Sequence, residues 1–143
     1  MISWKEEYAS GRKDIDEHHK VLFSYIDDLE RIINSGEIDP KQVTDLLDAL
    51  DSYTKFHFGY EEICMTERKC SAACQNKAAH EVFLKTIFDY RERAKKETIT
   101  SDMVEDIYTT MLSWLLNHIC TIDRNFRKCS GSHIKPKILE SDQ

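Results

Sequence analysis

The stretch LLDALDSYTKFHFGYEEICM, residues 46–65, decides the fold. Its apolar residues fall at three- and four-residue steps, the period of one buried helix face. Followed from the preceding turn, the stripe reads Val43, Leu46, Leu50, Tyr53, His57, Glu61 and Cys64. His57 and Glu61 stand where the period asks for Leu or Ile. Being four residues apart, they lie only about 40° apart around a helix axis, so both face one point. Such a pair alone is commonplace and usually solvated. Its weight depends on what the other segments bring to it.

Three further segments carry the same period. A first helix is expected from Asp16 to Ser35, with Ile15, His19, Leu22, Ile26, Leu29 and Ile33 in one stripe, an Asp14–Glu17 capping box and Gly36 as C-terminal cap. Asp39 followed by Pro40 is a start signal for the second, which should end near Met65. The third runs from Asn76 to Lys96 with Asn76, His80, Phe83, Ile87, Tyr90 and Ala94 inward. Thr100, Ser101 and Asp102 open the fourth, which reaches Ile122 with Val104, Ile107, Met111, Leu115, His118 and Ile122 inward. The connections are short, which favours antiparallel neighbours. The expected fold is all-α, an up-down-up-down antiparallel four-helix bundle over residues 1–125, with residues 126–143 as a polar tail or linker.

Each helix therefore brings polar groups to its core stripe: His19, then His57 and Glu61, then Asn76 and His80, then His118. Burying an unpaired imidazole or carboxylate costs several kcal/mol, so one small core cannot hold them all unless they share a partner. Imidazoles and carboxylates converging inside a bundle are what a dinuclear metal site requires, and the donor set suits iron, zinc or manganese. A metal-free hydrogen-bonded core is the alternative. His118 and Asp123 lie five apart, about 140° on an ideal helix, so both can face inward only if the carboxylate reaches back or the helix widens.

Composition narrows the remaining classes. The chain has 143 residues, a formal charge of −6 and 32% charged residues, which suits a single domain and argues against a nucleic-acid partner. No apolar run is long enough for a membrane span, and the opening MISWKEEYAS lacks the features of a secretory signal, so a cytoplasmic location is expected. Five cysteines are an odd number in such a chain and favour free thiols. The Cys70–Cys74 spacing is wider than CxxC, which argues against a metal or redox pair.

Taken in order, Trp4, IDEHHKVL with His19, FHFGYEE with His57 and Glu61, NKAAHEVFL with His80, and WLLNHICTID with His118 and Asp123 resemble the hemerythrin family, specifically its bacterial members. The resemblance implies two iron ions bridged by Glu61, Asp123 and an oxo or hydroxo group, with His19 and His57 on one iron and His80 and His118 on the other. It also implies that O2 binds at an open iron position, and that Phe58, Trp114, Leu115 and Ile119 wall the pocket. The same residues are equally compatible with ordinary core packing. The family has HxxxH on the third helix, and here the first position is Asn76. An amide oxygen is a weaker donor than imidazole, so Asn76 is expected to hydrogen-bond a water or to ligate poorly. Both irons would then have exchangeable positions open to small anions or nitric oxide. That suits an oxygen- or redox-sensing domain that regulates a signalling module better than a carrier or store. An oxidase or nitric-oxide-processing enzyme ranks below both, because no acid–base pair remains once the ligands are assigned.

Overall fold

The computed structural model describes residues 3–71 and 73–122, the last two by backbone only. The expected Asp123 ligand, His133, Cys129 and the tail lie outside the described residues. Four long helices follow a short 3-10 turn at Glu6–Tyr8: α1 (Lys13–Ser35), α2 (Pro40–Glu67), α3 (Ala73–Lys96) and α4 (Ser101–Asn117), with a π-helical segment, His118–Ile122, continuing the last. No strand occurs among the described residues. No described helix is long and apolar enough to cross a membrane.

The helix ends follow their local chemistry. Asp39 caps α2 by accepting from the Lys41 N–H at 3.0 Å, with Pro40 in the first turn, and Thr100 caps α4 by accepting from the Met103 N–H at 3.2 Å. Gly36 ends α1 in the left-handed conformation at φ 77, which glycine adopts without strain. The start of α1 departs from expectation. The helix begins at Lys13, and Asp14 is held by Arg12 and Tyr60 instead of closing a capping box. α3 starts three residues before Asn76 because Ala73, Cys74 and Gln75 extend it.

The stripes bury largely as read, with shifts of one position where a neighbouring apolar residue fits better: Ile32 is buried and Ile33 only half-buried, Leu47 buried and Leu46 half-buried. Contacts run in opposite senses along paired helices. On α1 and α2, His18 meets Tyr60 and Tyr25 meets Tyr53; on α2 and α3, Met65 meets Asn76, Phe58 meets Phe83, and Asp48 meets Arg91. On α3 and α4, Phe83 meets Trp114 and Tyr90 meets Asp106.

The core is in two parts. A large apolar cluster includes Leu22, Ile26, Leu50, Phe58, Phe83, Ile87, Met111 and Leu115, and a small one holds Ile15, Tyr60, Cys64, Met65 and Cys70. Between them along the helices lie the polar stripe positions: His19 falls between Ile15 and Leu22, and Asn76 and His80 between Cys70 and Phe83. Cys64, Cys74 and Cys120 are free, whereas Cys70 is disulfide-bonded, which corrects the free-thiol expectation at that position.

Candidate metal centre

His19, His57, Glu61, Asn76, His80 and His118 are all at most 2% exposed. Helical periodicity alone brings them together, because each replaces an apolar residue on the inward face of its own helix. The centre is organised around Glu61. Its Oε2 faces His57 Nε2 at 3.4 Å and His19 Nε2 at 3.9 Å, and its Oε1 faces His80 Nε2 at 3.0 Å and His118 Nε2 at 3.5 Å. Two groups with metal-ligand spacing result, His19–His57–Glu61 and Glu61–His80–His118, each with its donor atoms within 4.8 Å of one another. They share only the carboxylate. His80 Nε2 and His118 Nε2 are 3.1 Å apart, close to the ~3 Å between neighbouring nitrogen donors with metal bonds of about 2.1 Å.

The electrostatics favour a charged carboxylate. Burial alone would raise the Glu61 pKa, but the charge of His57 and the contacts with His118 and His80 hold it well below the ordinary carboxylate range. Neither Glu61 Oε2 nor Asn76 Oδ1 has a hydrogen-bond partner among the described residues, although both are fully buried. Each orphan acceptor costs about 1–3 kcal/mol in a purely hydrogen-bonded core, and a cation between the imidazoles removes that penalty for the carboxylate. Imidazole nitrogen with carboxylate oxygen fits iron.

The expected walls separate into two kinds. Phe58 stacks on His80 with ring centroids 3.8 Å apart and planes 5° from parallel, and Trp114 stacks on His118 at 4.5 Å and 17°. Leu115 and Ile119 are buried in the large apolar cluster. Asn76 turns its amide nitrogen to Glu61 Oε1 at 2.7 Å and to Met65 Sδ at 3.2 Å, a donor role that the residue pattern did not disclose. Only Oδ1 is left to meet water or metal.

Two residues behind the imidazoles were also missed. His18 is half-buried with Nδ1 3.0 Å from His57 Nδ1, and Glu62 Oε2 lies 2.8 Å from His80 Nδ1. Each is adjacent in sequence to a stripe residue, about 100° away on its helix, so periodicity placed it off the core face. The bonding need of the second imidazole nitrogen was the signal that could have found both. A π-helical segment, His118–Ile122, begins at His118, one of the two distortions expected there, while Asp123 lies outside the described residues.

Comparison with known proteins identifies the family and the fold. The family model of the hemerythrin HHE cation binding domain matches residues 10–128. A myohemerythrin of Sipunculus nudus is 32% identical over 116 residues, covering 78% of this chain and 88% of the relative. A bacteriohemerythrin of Stenotrophomonas maltophilia (strain R551-3) is 25% identical over 134 residues, covering 94% of this chain and 84% of the relative. A crystal structure of wild-type hemerythrin shares the fold with a TM-score of 0.78 at 21% identity, over 92% of this chain and 99% of that one. With imidazoles grouped on either side of one buried carboxylate and the domain matched over most of its length, the chain belongs to the hemerythrin family, whose members hold a di-iron centre and bind oxygen rather than catalyse a reaction.

Proposed function

We propose that this chain is a non-haem di-iron domain that binds oxygen and senses redox state, regulating an attached or partner signalling module in the cytoplasm. The observation that carries the metal reading is the division of Glu61, whose two oxygens face different imidazole pairs. His19 and His57 would hold one iron, His80 and His118 the other, with Glu61 bridging. Asp123, outside the described residues, would supply the second carboxylate in this reading, and the turn that leads to it widens from His118. The contacts that run in opposite senses along neighbouring helices support an up-down-up-down antiparallel bundle, which brings donors from every helix to one level.

The iron pair supplies reversible redox chemistry toward O2; the chain sets its access and symmetry. Phe58 and Trp114 lie flat on His80 and His118 and exclude water from that side. Asn76 fixes Glu61 through its amide nitrogen and retains only an amide oxygen, a weaker donor than imidazole. Each iron would then have two imidazoles from this set, leaving exchangeable positions for O2, nitric oxide or small anions. Such a pair would oxidise readily, which suits a sensor better than a store.

Metal analysis with optical spectra before and after air tests this reading. The expected result is two irons per chain, new charge-transfer absorption on exposure to air, and rapid loss of the oxygenated spectrum to the oxidised one. A colourless protein after purification with ample iron would sink the metal assignment. A long-lived oxygenated form would sink the sensor assignment in favour of a carrier.

A further inference from the structure

The two imidazole pairs match in their inward histidine and glutamate donors, but His57 and His80 differ in what stands behind them. His80 presents Nε2 to Glu61 and Nδ1 to the Glu62 carboxylate at 2.8 Å. His57 presents Nε2 to Glu61 and Nδ1 to the imidazole of His18 at 3.0 Å. A metal-ligating imidazole gives its remaining N–H to an acceptor, and that acceptor orients the ring and raises its basicity. Two facing imidazole nitrogens make a hydrogen bond only if one donates and the other accepts. With His57 Nε2 turned to the metal side, His57 donates through Nδ1 and His18 accepts through Nδ1. The rings of Tyr60, Phe56 and Tyr53 surround His18, with centroids 4.8, 5.1 and 6.2 Å away, and hold it in that orientation. One imidazole thus leans on an anion and its counterpart on a neutral ring.

We propose that Glu62 and His18 are positioning residues that make the two iron positions unequal, the His80–His118 position binding metal more tightly than the His19–His57 position. This rests on the ligand assignment above. In this chain the asymmetry arises from the acceptors behind the ligands, because the histidine and glutamate donors are balanced at two imidazoles and one Glu61 oxygen on each side.

Anaerobic titration of the metal-free full chain with Co(II), followed by calorimetry and visible absorption, tests the proposal without any oxygen reaction. The wild type is expected to take two equivalents in two resolved steps. Glu62→Gln should weaken the tighter step about 10–100-fold and leave the other in place, with Glu62→Asp recovering much of the loss. Glu62 is 28% exposed, so the exchange leaves the core intact, and circular dichroism of the metal-free variant checks this. His18→Glu places an anion behind His57 and should tighten the weaker step, narrowing the gap. This arm decides the matter if Glu62→Gln fails to fold. Two indistinguishable wild-type steps, equal weakening of both steps by Glu62→Gln, or no tightening by His18→Glu would each overturn the proposal while leaving the metal site standing. Failure of the wild type to bind two equivalents would overturn the ligand assignment as well.

Discussion

Replacing Asn76 by histidine should change the sign of its effect when metal is added. In the metal-free protein, Asn76→His removes a 2.7 Å hydrogen bond to a charged, fully buried carboxylate, a loss of about 1.5–3 kcal/mol. The larger ring in a closed site costs about 1–3 kcal/mol more. Relief of the orphan Asn76 Oδ1 returns about 1–3 kcal/mol. The net is a metal-free variant destabilised by about 2 kcal/mol. In the loaded protein the same ring offers an imidazole nitrogen in place of an amide oxygen, and every 1.4 kcal/mol gained raises metal affinity about tenfold. Urea unfolding with and without saturating metal measures both terms. The expected outcome is a lower midpoint without metal and a higher one with it, accompanied by slower autoxidation and fewer equivalents of azide bound to the oxidised form. Equal loss of stability in both forms, with azide stoichiometry unchanged, would refute the reasoning, because residue 76 would then act only through packing.

Two further predictions concern the framework around the site. Burial pushes the Asp14 carboxyl up, but the Arg12 guanidinium and the Tyr60 hydroxyl hold it down at about 2 against an ordinary 3.8, so it adds about 2 kcal/mol that is fully present above pH ~4 and lost as pH falls toward 2. Asp14→Asn should therefore lower stability by that amount at pH 7 and flatten the acid limb of a pH–stability curve; an unaltered limb would contradict the assignment. Hydrogen exchange on metal-free protein should show lasting protection in the large cluster, around Ile26, Leu50 and Ile107, and faster exchange around Ile15, Cys64 and Met65, with metal restoring the latter. Uniform protection in both forms would show that the polar layer does not divide the core.

How much of this was legible in the sequence follows from what periodicity can report. A residue on the inward face is visible because its neighbours at three and four steps are apolar, so His19, His57, Glu61, His80 and His118 could be named from their positions alone. The distortion after His118 was legible too, since an inward His118 and Asp123 call for a wider turn or a reaching side chain, and a π-helical segment does begin at His118, whereas Asp123 lies outside the described residues. What periodicity cannot report is the direction of a side chain's individual atoms. Asn76 lies inward as its position in the stripe requires, yet its donation to Glu61 depends on which end of the amide turns toward the carboxylate. His18 and Glu62 were invisible to the stripe because they sit beside it, and they matter only through the back of an imidazole that the stripe already contained. The start of α1 differs from the capping-box expectation because Asp14 is engaged by Arg12 and by Tyr60 of α2, a tertiary contact that no local capping pattern encodes.

The placement of the polar layer also bears on how a change at the metals could leave the site. A hydrogen-bonded polar core would pair every acceptor within the protein, whereas here Glu61 Oε2 and Asn76 Oδ1 are buried without hydrogen bonds among the described residues. The metal-free chain therefore carries a penalty at the junction of its two apolar clusters, and a cation there removes part of it. The small cluster, built from Ile15 on α1, Tyr60, Cys64 and Met65 on α2 and Cys70 just beyond it, is joined to the large one through the same helices that carry His19, His57 and Glu61. With metal bound, a change in its charge would alter how strongly those imidazoles are drawn to the centre, and hence how firmly the small cluster is held to the rest of the bundle. The end of the molecule beyond the site would thus be a part whose order depends on the metals, which is what the proposed sensing role needs if its state is to be read by another protein surface.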